Sequence, residues 1–169
     1  MIETLPASPQ AAQEIEHRAL RAHSSDLSIV LSVPVQADAR RISQALTMPE
    51  YLEAWMSMPN QQKESAVVAA SHDNGYRVDH FLSGRVVASL TGSFLFCHQR
   101  KMRLLWRTVR SADSSESVVD FRVRGNFASS VLELRHTAFA SVHDFLWHKQ
   151  LWYVSLDKLT ALLCTGTAY

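Results

Sequence analysis

The feature that most constrains this chain is the apolar stripe at its C-terminal end. Between Ser141 and Leu163, the residues Phe145, His148, Trp152, Leu156, Leu159 and Leu163 recur at three- and four-residue steps. That spacing places them on one face of an α-helix. A helix of about 22 residues is roughly 33 Å long, enough to cross a whole sheet face. A stripe of that length must be buried, and the chain before it supplies strands to bury it against.

Leu27, Ile29, Leu31, Val33 and Val35 alternate with Ser28, Ser32 and Gln36, which predicts a half-buried strand over 27–35. Asp38 stands where an N-cap should, before a short helix running through Ala45 and Leu46. Thr47-Met48-Pro49-Glu50 opens a second short helix, with Thr47 as its expected cap and Pro49 in its first turn. This helix carries Tyr51, Leu52, Trp55 and Met56, and Pro59-Asn60 closes it. Six strands are then expected over 66–71, 76–82, 86–98, 102–110, 117–124 and 130–137. Turn signals separate them: Asp73-Asn74-Gly75, Ser83-Gly84, Gln99-Arg100, Ser111 to Ser115, and Gly125-Asn126. Such short linkers favour antiparallel neighbours, and no βα alternation supports a parallel sheet. The expected fold is α+β: a curved antiparallel sheet of six to seven strands around a long C-terminal helix, with two short helices after the first strand.

Composition agrees with one domain. The chain has 169 residues, 47% hydrophobic and 20% charged, ordinary values for a globular protein with its own core. Net charge is +1, and Arg100, Lys101, Arg103, Arg107 and Arg110 are spaced like the outward side of a strand, so no nucleic-acid partner is expected. Cys97 and Cys164 lie far apart and in no CxxC spacing, which fits free thiols in a reducing cytoplasm. No apolar run approaches the roughly 20 residues that span a bilayer, and residues 1–10 lack the features of a signal peptide. A cytoplasmic protein with no membrane partner is expected. None of the eight histidines sits in HxH, HxxxH or HExxH spacing, and no G-x-S-x-G or glycine-rich phosphate loop occurs. No metal, cofactor or catalytic residue is therefore expected.

The order of elements resembles the helix-grip fold of the START-like (SRPBCC, Bet v 1-like) superfamily, and within it the branch homologous to the activator of heat-shock protein 90 ATPase. Three stretches carry the resemblance: Ala45 to Trp55; Gly92 with the strand ending in Trp106; and Leu132 to Phe139 followed by His148, Trp152, Leu156 and Leu159. Together they span roughly residues 27–163. The chain departs from the branch pattern at Asn74-Gly75, where a Gly-Gly is usual, and at Leu105, Ser130 and Ala138, the last in place of a glycine. The resemblance implies an internal cavity for a small hydrophobic or amphipathic ligand, or a protein-interaction module serving a chaperone or regulator. Acid/base chemistry by cavity residues is a third class.

Strand alternation nominates the inward residues. The candidate ligand-cavity set is Trp55, Met56, Met58, Tyr76, Val78, His80, Trp106, Phe121, Val123, Leu134, His136 and Trp152. The same residues would serve equally to fill a core. His80 and His136 are the ionisable members, each able to hydrogen-bond a ligand or to be buried neutral. Residues 1–26 form a predicted N-terminal helical extension outside the 27–169 domain. Ala12, Ile15, Ala19 and Ala22 make a narrow stripe over Ala11–His23. A helix of about 13 residues is marginal alone. It needs a cover, either the outer sheet face around Phe81, Leu95 and Leu105 or a second copy, and a homodimer is the expected arrangement.

Overall fold

The structure, a computed structural model, describes residues 27–56, 65–110, 113–126 and 129–165. The predicted helix Ala11–His23, Met58 and the Pro59-Asn60 stop lie outside them. In chain order the elements are β1 (Ile29–Val35), α1 (Ala39–Thr47), α2 (Pro49–Trp55), β2 (Ser65–His72), β3 (Gly75–Leu82), β4 (Arg85–His98), β5 (Lys101–Arg110), β6 (Asp113–Asn126), β7 (Ser129–Thr137) and α3 (Val142–Cys164). The strands make one antiparallel sheet in the order β1-β7-β6-β5-β4-β3-β2. The expected α+β helix-grip architecture is what the chain adopts.

Hairpins join β2 through β7 in sequence, and only β1 crosses over to pair with β7. Ser83 and Gly84 both have positive φ, 49° and 74°, which suits the two-residue turn between β3 and β4 to the twist of its strands. Register shifts at His80/Phe81 and between Phe94 and Phe96 bend the β3–β5 region. Gly92 matters for packing: a Cβ there would meet Leu104 Cδ2 at 2.8 Å and the Tyr76 ring at 3.1 Å. Its absence lets both side chains close over the β4 backbone.

Helix α3 is one unbroken element, started by Ser141, whose hydroxyl accepts from the Asp144 amide at 3.1 Å. Its buried residues Leu151, Trp152, Leu156, Leu159 and Leu163 join the same core as the inward strand residues. Edge strand β2 gains a partner for one free amide, because Glu53 Oε1 on α2 accepts from Ala69 N at 2.8 Å. The Trp55 indole donates to the Ala45 carbonyl at 2.7 Å, tying α2 to the end of α1.

Two local expectations are corrected. Thr47 does not cap α2: it ends α1, with its hydroxyl donating to the Ser43 carbonyl at 2.8 Å, and Met48 holds the cap position without a side-chain bond. The two helices abut so closely that Thr47 is still helical. The polar stretch Ser111 to Ser115 is not all turn either, since Ser114 pairs with Val109 and Ser115 with Thr108. Asp113 and Ser114 are exposed there, so no apolar alternation marks the strand.

Candidate functional site

The inward residues of the middle strands meet α3 in a cluster of rings. Trp106 and Trp152 have centroids 5.4 Å apart, Phe121 stands edge-on to Trp152 at 5.8 Å, and Tyr76 edge-on to Trp106 at 6.1 Å. Trp55, Met56, Tyr76, Val78, Trp106, Phe121, Val123, Leu134 and Trp152 are all buried in one continuous core.

His136 sits in the middle of a closed hydrogen-bond chain. Trp152 Nε1 donates to His136 Nδ1 at 2.9 Å, and His136 Nε2 lies 2.7 Å from Ser117 Oγ, which in turn bonds the Trp106 carbonyl at 3.3 Å. An indole N–H can only donate, so His136 Nδ1 must be the bare nitrogen and Nε2 must carry the proton. The imidazole therefore donates to Ser117 and cannot take its proton. What looks like a serine–histidine dyad is wired in the direction that prevents nucleophile activation. Burial, with His148 nearby, also pushes His136 well below the usual imidazole range.

His148 is held the opposite way round. Its Nδ1 faces the Asp144 carbonyl at 2.8 Å and so carries the proton, leaving Nε2 to accept from Thr108 Oγ1 at 2.9 Å. Burial brings its pKa down to about 4, although the Asp144 carbonyl and carboxylate pull upward. Asp144 pairs with Arg110, whose guanidinium also lies 4.8 Å from the Trp147 ring centroid. Arg110 is thus half-buried, unlike the exposed Arg103 and Arg107 of the same strand.

His80 differs from both. It is 1% exposed, and neither ring nitrogen has a partner among the described residues; the Trp106 indole N–H is the third such buried atom. Burial lowers the His80 pKa to about 4 against the opposing pull of Asp79. Its cross-strand neighbours on β2 and β4 are Val67 and Ala88, neither able to bond an imidazole. Ser117 and Thr108, missed as site residues, were reachable from sequence: Thr108 is in phase with Met102, Leu104 and Trp106, and Ser117 with Val119, Phe121 and Val123. No group of three metal-ligating side chains occurs among the described residues, and no helix there is long and apolar enough to cross a membrane.

No protein-family model and no curated relative matches the sequence. Solved structures do match its shape. A Chromobacterium violaceum protein superposes with a TM-score of 0.66 at 16% identity, over 80% of this chain and 96% of its own. A Silicibacter pomeroyi protein described as AHSA1 gives 0.65 at 18%, over 83% and 100%. The Colwellia psychrerythraea Aha1 dimer gives 0.59 at 16%, over 84% and 99%. The chain therefore shares the helix-grip fold of these structures. At these identities the likeness is one of fold.

Proposed function

We propose that the concave side of the sheet binds one small, uncharged amphipathic molecule, with His80 and Trp106 supplying the hydrogen bonds. The observation that carries this reading is the trio of buried nitrogens without partners among the described residues, His80 Nδ1, His80 Nε2 and Trp106 Nε1. The other two buried histidines, His136 and His148, have both ring nitrogens engaged. An orphaned buried polar group costs about 1–3 kcal/mol, so its retention is better explained by a ligand than by packing. Apolar walls with a few polar groups are the usual make-up of a small-molecule site.

The donor and acceptor count narrows the ligand. A neutral His80 offers one N–H and one lone pair, and Trp106 one N–H. Half-buried Arg110 on β5 is already committed to Asp144. A carboxylate would enter without a counter-charge, at high cost. A hydroxyl, carbonyl or amide on an apolar body fits.

Titration with Nile red, a neutral dye with a carbonyl acceptor, tests the reading. Saturable binding with a stoichiometry near one is expected. His80→Leu and Trp106→Phe should each weaken it roughly tenfold, the equivalent of about one hydrogen bond. Val123→Trp, which adds bulk on the concave side, should abolish it while far-ultraviolet circular dichroism is unchanged. Equal binding by all three variants would place the dye on an outer patch and overturn the proposal.

A second reading is self-association. Leu95 and Leu105 on the outer face are 58% and 37% exposed, and the Colwellia psychrerythraea neighbour is described as a dimer. Sedimentation equilibrium on the full chain and on a chain starting at Asp26 separates a sheet-made dimer from one made by residues 1–26. Two monomers at micromolar concentration would rule out self-association.

A further inference from the structure

The outer face of the β1-β7-β6-β5 half carries a groove of about 410 Å³ whose chemistry is unlike that of the concave side. Two cross-strand rows build it. One runs Val30, Arg135, Asp120, Arg103; the other runs Ser32, Glu133, Arg122, Lys101. Four cationic side chains thus face two carboxylates. Both carboxylates are already used. Asp120 takes Arg103 in a two-bond fork at 2.7 and 3.1 Å, and Glu133 takes Arg124, outside the lining, at 3.1 Å. Arg135 lies beside Asp120 in the register and Arg122 beside Glu133, yet no ion pair forms to either.

Lys101 and Arg122 are moreover direct cross-strand neighbours. Like charges placed opposite each other destabilise a sheet, and here no carboxylate stands between them. The groove also exposes apolar surface at its two opposite ends: Val30 on β1 is 67% and Phe96 on β4 40% exposed, and the Lys101 ammonium sits 5.8 Å from the Phe96 ring centroid. Three cations with no ion pair among the described residues, with the bare Phe96 ring beside Lys101, complement a molecule with an acidic head and a hydrocarbon body. The volume lies within the usual span of small-molecule sites, about 300–1,000 Å³.

We infer that this groove binds a single-chain carboxylate free in solution, its head held by Lys101, Arg122 and Arg135 and its chain lying over Phe96. Arginine is suited to the head, since its planar fork matches a carboxylate's two oxygens.

Isothermal titration of the full chain with decanoate below its micelle concentration tests the inference, with decanol and acetate as partial ligands. Decanoate should bind with a stoichiometry of one and weaken as salt rises, while acetate, and decanol in the His80→Leu background that removes the concave contact, should each bind at least tenfold more weakly. Arg122→Gln, Arg135→Gln and Phe96→Ser should each reduce decanoate affinity about five- to tenfold. These positions are exposed, so the fold is expected to survive, and a thermal melt checks it. His80→Leu should leave decanoate binding unchanged, which separates this groove from the concave site. Decanol binding as tightly as decanoate in the His80→Leu background, or full decanoate affinity in the arginine variants, would overturn the inference. So would capture on anionic phospholipid vesicles without binding of monomeric decanoate, which would mark the face as membrane-directed instead.

Discussion

Two buried histidines on the same concave face have opposite fates. His136 on β7 has both ring nitrogens engaged, with a tryptophan donor on one side and a serine on the other. His80 on β3 has neither engaged among the described residues. Packing alone accounts for the first: its imidazole joins β7, β6 and α3 by bonds that specify one arrangement of rings. The second adds nothing to stability that leucine would not provide. Burial identifies a polar residue as interesting, but its hydrogen-bond account says whether it serves the fold or something outside the fold.

The sharpest test of the satisfied region is Trp152→Ala. It removes a fully buried indole from contact with Trp106 and Phe121 and takes away the donor to His136. A loss of about 3–5 kcal/mol is expected for such a truncation. Urea melts with an unchanged slope would read it directly. A loss below about 1 kcal/mol would mean the stripe of α3 does not face the core. His136→Leu comes next. It leaves the Trp152 N–H buried without an acceptor, for an expected loss of about 1–3 kcal/mol.

A smaller effect lies just beyond β7. Ala138 adopts φ 62°, the left-handed region that an alanine enters only under strain. Ala138→Gly should therefore gain about 1 kcal/mol, by relieving a left-handed Cβ clash that outweighs the added freedom of the unfolded chain. A destabilised variant would show that neighbouring contacts, not strain, govern that corner.

The architecture was legible because its main signals are periodic. The α3 stripe and the alternation in β1, β3, β5, β6 and β7 each repeat over several residues, so one ambiguous position does not spoil them. Thr47 and the start of β6 were misread because single polar residues serve caps, turns and exposed strand ends alike. The inward face of His80 and His136 was readable from parity, but their difference was not. It depends on whether Trp152 on α3 and Ser117 on β6 come within 3 Å of a ring on β7. No spacing within one strand encodes that meeting.

His80→Leu brings the comparison to its finest point. If the imidazole serves no packing purpose, the variant should be more stable than the parent at pH 7, by about 1 kcal/mol from relief of the unpaired polar atoms. The pH dependence then gives an independent check. His80, His136 and His148 are all held neutral by burial, His80 and His148 down to about 4. An unfolded imidazole protonates near 6.5. Between those values the unfolded chain binds more protons than the folded one, so stability is full above pH 6.5 and falls as pH drops toward 4. Each such histidine contributes a slope of about 1.4 kcal/mol per pH unit within that window. The parent should lose stability with three contributions, and His80→Leu with two. Melts at pH 7, 6 and 5 would therefore show the advantage of the variant widening as the solution becomes more acidic. A variant that is less stable at every pH, with an unchanged slope, would mean that His80 has a bonding partner after all and titrates normally. The two histidines would then be alike, and the concave site would lose its main polar contact.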